Sequence, residues 1–154
     1  MFLSSSEISS RLVSDLRLGL PIILYDAKTY FLTAAIETLY SEKLNKIMEI
    51  AKNQKFEIAI TNRRAKVLNV RIYNESVTRI SIREKVSIQL LQAIADPSKD
   101  LDYPLKGPFE SERNGKFNVA SVSLSLCKKA RLLPASILVN IPKIVRDELV
   151  SSQI

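Results

Sequence analysis

Polar and apolar positions near the start of the chain follow the period of a helix. Ser4 and Glu7 have the spacing of a capping box, in which two side chains satisfy the first free backbone amides of a helix. Leu12 and Leu16 then lie on one helical face. The sequence therefore predicts a first helix over residues 5–18.

Short apolar runs between turn-forming residues predict strands, because strands buried in a sheet are apolar over four to eight residues. The predicted strands are 21–25, 30–36, 56–60, 70–73, 77–82 and 136–141. Stripes with helical spacing predict further helices after Ser41, after Thr61, over 84–95 and after Pro142. Residues 96–115 contain three prolines and two glycines, which predict a long loop.

The segment 119–141 fits two patterns. Val122, Leu124 and Leu126 alternate with serines, as in a strand, yet Val122 and Leu126 also lie on one helical stripe. The length of the segment favours a helix to about Leu132, as does the basic run near its end, because positive charge stabilises a helix C-terminus.

This order of elements predicts an α/β (α+β) fold, a mixed-sheet sandwich with flanking helices. A length of 154 residues is typical of one domain, so we interpret residues 1–154 as a single domain.

The composition excludes several kinds of site. There is no histidine, which removes Ser-His-Asp and Cys-His nucleophiles and histidine-bound zinc. A single cysteine excludes an internal disulfide, and we interpret Cys127 as a buried structural thiol in a cytoplasmic protein. No glycine-rich phosphate loop and no run of membrane-spanning length are present. We predict no metal, no cofactor and no membrane association.

The chain has 23 Lys and Arg against 16 Asp and Glu, a net charge of +7. Such a charge can attract nucleic acid or phosphorylated ligands. The basic residues are scattered with few aromatic residues between them, so a solvated surface is favoured and nucleic acid ranks last. Arg63 and Arg64 begin the predicted helix after Thr61, and a helix start attracts anions. Two solvated arginines are the favoured alternative there.

Four segments together resemble 3,4-dihydroxy-2-butanone 4-phosphate synthase, the riboflavin-pathway enzyme that acts on ribulose 5-phosphate. They are PIILYDAKTYFLTAAIETL, EIAITNRRAKVLNV, DPSKDLDYPLKGPF and LCKKARLLPASILVNI. The likeness runs from about Leu12 to Ile141, and Pro134 fits the pattern. The chain is most similar to the degenerate form of that domain, which some bacteria carry fused ahead of GTP cyclohydrolase II.

The resemblance implies a catalytic pattern that this chain lacks. The acidic loop of the family corresponds to residues 26–29, which contain no glutamate. The family motif R-x-G-H-T-E corresponds to residues 116–121, where Lys116 keeps the positive charge while Val119 and Ser121 replace its histidine and glutamate. A further glutamate is replaced by Asn140. Valine, serine and asparagine supply neither proton transfer nor magnesium ligands, so we predict no catalytic residues.

The resemblance therefore implies a non-catalytic domain that acts in dimerisation or docking and is related to GTP cyclohydrolase II and riboflavin biosynthesis. Its expected partners are a second copy of the chain or a GTP cyclohydrolase II catalytic domain, which this chain itself lacks. An alternative is a module that binds a phosphate or nucleotide ligand through Arg63, Arg64 and Lys116.

Overall fold

One antiparallel sheet organises the part of the chain that the computed structural model describes, residues 4–26, 28–51, 56–82, 86–102, 109–113 and 117–152. Its strands are β1 (Ile22–Asp26), β2 (Thr29–Ala35), β3 (Phe56–Thr61), β4 (Val77–Ile82), β5 (Glu110–Ser111) and β6 (Ala135–Ile141). They lie in the order β1-β2-β6-β3-β4-β5, and every neighbouring pair is antiparallel. The α+β class with flanking helices is confirmed, and the predicted mixed sheet is corrected to an antiparallel one.

Helices cover both faces of the sheet. They are α1 (Ser5–Arg17), α2 (Ser41–Ala51), α3 (Asn62–Val67), α4 (Ile88–Ala95), α5 (Phe117–Lys129) and α6 (Lys143–Ser152). The capping box of α1 is confirmed, since the Glu7 amide donates to the Ser4 hydroxyl and the Ser4 amide donates to the Glu7 carboxylate, each at 3.3 Å. The helical interpretation of the segment from Val119 is also confirmed, but α5 ends at Lys129 and not near Leu132, because Arg131 adopts a positive φ of 61° in the turn that follows.

Strand β6 divides the core into two layers because successive side chains of a strand point to opposite faces. Ile137, Val139 and Ile141 join the apolar cluster that also contains residues of α2 and α4. Leu138 joins the cluster on the other face with Val119 of α5. Helix α5 therefore covers one face of the sheet and α2 and α4 cover the other.

The same strand joins two hairpins that would otherwise be separate. Leu138 lies opposite Thr33 of the β1–β2 hairpin on one side and opposite Glu57 of the β3–β4 hairpin on the other. Six of the seven residues of β6 are buried, and Asn140 is the exception. The sheet is therefore continuous only when β6 lies in its centre.

Three buried hydroxyls hold α5 against the sheet. The Ser123 hydroxyl donates to the Ser136 hydroxyl at 2.6 Å and lies 2.8 Å from the Thr33 hydroxyl, which donates to the Ile137 carbonyl at 2.6 Å. Because a buried polar group is costly without a hydrogen bond, this arrangement fixes the position of α5 over β2 and β6.

Two predictions are wrong, the strand over residues 70–73 and the uninterrupted loop over residues 96–115. Residues 70–73 form no strand, because Asn69 adopts a positive φ of 59° and the Val70 amide donates to the Ala65 carbonyl at the end of α3. The loop after α4 contains a 3₁₀ turn, Pro97–Lys99, and strand β5, which pairs with β4. The predicted helix 84–95 begins at Ile88 in the structure, with Ser87 as its N-cap, and its first two predicted residues lie outside the described residues.

An ion pair is buried on the face that α5 covers. Both oxygens of Glu57 accept from Nη1 of Arg79 at 2.9 Å, and the two side chains are only 7% and 4% exposed. The Arg79 guanidinium lies 4.5 Å from the ring centre of Phe117, the first residue of α5. The pair and the ring together fix where α5 begins.

Replacing Glu57 with Gln should lower the free energy of unfolding by about 3 kcal/mol, because the Arg79 charge stays buried without its carboxylate. Urea denaturation measures the change. The double variant Glu57→Leu, Arg79→Met is the control, since two apolar residues remove the charges together and should cost far less. A double variant less stable than Glu57→Gln would contradict this account.

Candidate functional site

A cleft of about 190 Å³ lies where β1 ends and α5 begins. Leu24, Tyr25 and Asp26 line it from β1, and α5 contributes Asn118, Val119 and Val122. These are two of the regions that the resemblance assigned to catalysis, the turn at 26–29 and the segment 116–121. The fold therefore brings them to a common cleft, which we call the β1–α5 cleft.

Asn140 belongs to the same end of the sheet. It lies opposite Phe31 of β2, and Asp26 pairs with Thr29 at the start of that strand. Because Val139 and Ile141 face the other core, Asn140 faces the side of α5. It is exposed there, so the third motif position also reaches this end of the molecule.

The described lining of the β1–α5 cleft contains few groups that could bind a metal ion or transfer a proton. Asp26 is the only carboxylate among its described lining residues, beside one amide and several apolar side chains. Magnesium sites are built from carboxylates and other hard oxygen ligands, so this donor set does not fit the ion. Within the described ranges, no three His, Cys, Asp or Glu residues come together as a metal-binding group.

The two arginines after Thr61 have different surroundings. Thr61 is the N-cap of α3 and accepts from the Arg64 amide at 3.1 Å. Arg63 is exposed. Arg64 is buried, and its guanidinium donates to both carboxylate oxygens of Asp100 at 2.7 and 2.8 Å. The alternative in which both arginines are solvated is therefore wrong for Arg64.

Arg64 also binds the end of α4. Its Nε donates to the Ile94 carbonyl at 2.8 Å and its Nη2 to the Ala93 carbonyl at 3.0 Å. With the carboxylate of Asp100, these contacts use most of the donors of the guanidinium. Arg64 holds α3, α4 and the turn after α4 together.

Arg63 and Arg64 do not lie near the start of α5. Phe117 stacks on Arg79, whereas Cys127, near the helix end, lies 3.9 Å from the Ala135 carbonyl at the start of β6. Arg64 follows strand β3 at that same second end, where Ile60 pairs with Ala135. Thirteen helical residues span about 20 Å. Lys116 lies outside the described residues, and ligand binding through these three positions stays a prediction.

Cys127 is a buried residue of α5. It is free and 0% exposed, and it packs in the cluster with Leu16 and Leu126. Burial, with a smaller effect of the Glu37 charge, raises the pKa of its thiol from 9.0 to about 12. The thiol therefore stays protonated and unreactive at neutral pH.

Several solved structures with a similar fold are synthases. A two-domain 3,4-dihydroxy-2-butanone 4-phosphate synthase from A. baumannii, RibBX, matches 86% of this chain at 18% identity and a TM-score of 0.62, and the chain spans about half of that protein, 47%. The enzyme from Candida albicans matches 86% at 14% identity and a TM-score of 0.63, over 78% of its length. The chain has the 3,4-dihydroxy-2-butanone 4-phosphate synthase fold.

A cation-free synthase structure adds to this result, with 15% identity and a TM-score of 0.61 over 86% of the chain and 74% of its own. No known family model and no curated protein matches the sequence. The resemblance is thus confirmed as a likeness in fold.

Among the helices of the described ranges, none has the length and apolar character to cross a membrane.

Two arginine–carboxylate pairs were missed from the sequence, the buried pair Glu57–Arg79 and the half-buried pair Arg64–Asp100. Glu57 and Arg79 are the only charged residues of the strand segments FEIAI and VTRISI. Opposite charges within two buried strands are a signal that could have indicated the first pair, since buried charges are paired. For Arg64 and Asp100 the sequence contains no comparable signal, because Asp100 lies in a turn.

The buried thiol should make stability depend on pH above its ordinary pKa. Below pH 9 the thiol is neutral in both states and contributes nothing. Above pH 9 the unfolded thiol ionises while the folded one keeps its proton up to about pH 12, so stability falls by about 1.4 kcal/mol per pH unit from this group.

Denaturant titrations of the wild type and Cys127→Ala from pH 7 to 11 measure this effect. The variant is less stable at neutral pH because it leaves a cavity, and the difference should shrink above pH 9. Parallel profiles for the two proteins, or rapid modification of the native thiol at neutral pH, would show that the thiol is not held protonated.

Proposed function

We propose that this chain is a non-catalytic synthase-like domain, related to riboflavin biosynthesis and GTP cyclohydrolase II, that acts in dimerisation or docking. The observation that carries the proposal is the β1–α5 cleft. The likeness in fold extends over 86% of the chain, while the described lining of the cleft provides a single carboxylate, Asp26. A scaffold is kept, and the proton-transfer and metal-binding groups that the reaction needs are replaced.

Exposed apolar residues at the cleft support a protein–protein contact there. Tyr25 is 59% exposed and Val122 is 48% exposed, and both line the cleft. Adjoining exposed apolar residues mark protein–protein contacts more often than isolated ones do, and tyrosine is enriched at interfaces. A solved relative, RibBX, is a two-domain protein, which supports a role beside a second domain. We therefore place the docking surface at this cleft.

Incubation with ribulose 5-phosphate and Mg²⁺ should yield no formate above the enzyme-free background. The physical reason is that the described lining supplies one carboxylate, Asp26, which cannot serve as a pair of magnesium ligands and as a general base together. An active synthase assayed in parallel confirms that the conditions support the reaction. Turnover that depends on Mg²⁺ would refute the non-catalytic role.

Replacing Val122 with Glu should weaken self-association, or association with a GTP cyclohydrolase II domain, by about tenfold or more, because a charge enters the centre of the proposed contact. Sedimentation velocity measures the association. Val150→Glu on α6 is a matched control, since Val150 is 50% exposed against 48% for Val122 and does not line the cleft. A strictly monomeric wild type that binds no such domain, or equal effects of the two variants, would contradict the proposal.

A further inference from the structure

A second cavity lies at the other end of the sheet from the β1–α5 cleft. Its volume is about 230 Å³. Its apolar walls come from Val67 at the end of α3, from Ala95 and Pro97 at the end of α4, and from Leu133 and Pro134 before β6. We call it the α3–α4 cavity. An apolar cavity of about 150 Å³ accepts a benzene ring, so this one has room for a single ring and a substituent.

The base of the cavity contains a neutralised charge. Arg64 and Asp100 both line it, and their bidentate ion pair leaves little net charge there. Arg64 is 8% exposed and is held by two helix carbonyls as well, so its position is fixed before any ligand enters. A preorganised site loses less entropy on binding than one that must be ordered.

Arg63 supplies an uncompensated positive charge at the edge of the cavity. It lines the cavity and is exposed. Its guanidinium has no hydrogen bond or ion pair with any residue of the described ranges. Asp100 is the only carboxylate in the described lining, and Arg64 already binds it. The cavity therefore combines apolar walls with one free cation, the usual form of a small-ligand site.

A neighbouring cavity of about 190 Å³ determines which way a ligand would lie. It shares Ala95 and Leu133 with the first one, and its charged lining residues are Glu37, Asp96 and Lys99. Hydrogen bonds from Ser98 lower the pKa of the Asp96 carboxyl, which is therefore ionised at neutral pH. Two carboxylates against one ammonium on that side make it less favourable for an anionic group than the position beside Arg63.

We propose that the α3–α4 cavity binds a small anionic ring compound, with its ring between Val67, Ala95 and Leu133 and its carboxylate or phosphate group at Arg63. The apolar walls account for the ring, and the free guanidinium accounts for the negative charge. This site is independent of the proposed function, since it shares none of its described lining residues with the β1–α5 cleft.

Titration of the ¹⁵N-labelled chain with benzoate, followed by NMR, tests the proposal. Benzoate should shift the amide signals of Val67, Ala95 and Leu133 with a Kd of about 1 mM, a value typical for so small a ligand. Benzyl alcohol has the ring without the charge and inorganic phosphate has a charge without the ring, so each should bind more weakly. Phenyl phosphate completes the set, and whichever of the two anions binds more tightly identifies the head group.

Three variants on α3 separate this site from general attraction to a basic protein. Arg63→Gln should weaken benzoate binding about fivefold, the effect of one exposed charge pair. Val67→Asp should weaken it further by placing a negative charge at the cavity. Lys66→Gln removes another exposed charge from the same helix outside the cavity lining, and it should change Kd less than twofold. All three positions that these variants change belong to the exposed surface, so the fold is retained.

Absence of shifts at the cavity amides with tens of millimolar benzoate would overturn the proposal. Equal weakening by Arg63→Gln and Lys66→Gln would overturn it as well, because binding would then reflect the overall charge. Neither result bears on the β1–α5 cleft, whose tests are formate production and association.

Discussion

The whole structure depends on one insertion, that of β6 between two hairpins. Thr33 of β2 reaches the Ile137 carbonyl across 104 positions of sequence. The apolar side chains of β6 are worth about 1.5–3 kcal/mol each when buried. Their sum is comparable to the whole stability of a typical domain, about 5–15 kcal/mol. The sheet, both cores and the positions of α2, α4 and α5 therefore form together or not at all.

Helix α5 shows how polar contacts complement that apolar core. Hydroxyls of Ser123 and Ser136 fix the middle of the helix, and Phe117 on Arg79 fixes its start. A buried ion pair is weak support for stability as such, yet removing one partner is costly. The resulting rigidity holds the β1–α5 cleft open with residues that have little reactivity. The shape of the cleft is thus maintained by residues other than those that line it.

Most elements could be predicted from the sequence because their patterns are local. The capping box at Ser4, the apolar stripe of α2 and the buried run of β6 each depend on neighbouring residues. The pairing of distant segments could not be predicted, because no local pattern states that Glu57 meets Arg79 or that Arg64 meets Asp100. For the same reason residues 70–73 were mistaken for a strand, since an apolar run does not reveal whether a partner strand lies beside it. The resemblance pointed to residues of the β1–α5 cleft, whereas the α3–α4 cavity could be found only in the structure.

Arg64 belongs to α3 but caps the C-terminal end of α4. The last carbonyls of a helix have no partner within it, and in α4 two of them, Ala93 and Ile94, are satisfied by this guanidinium from α3. A lysine has only three donors on a single nitrogen and could not make the four hydrogen bonds that the planar guanidinium makes. In sequences descended from this one, position 64 is therefore constrained by three partners simultaneously. Divergence at Arg64 and at Asp100 should then occur as a correlated pair, while the adjacent Arg63 is free to drift wherever its ligand is lost.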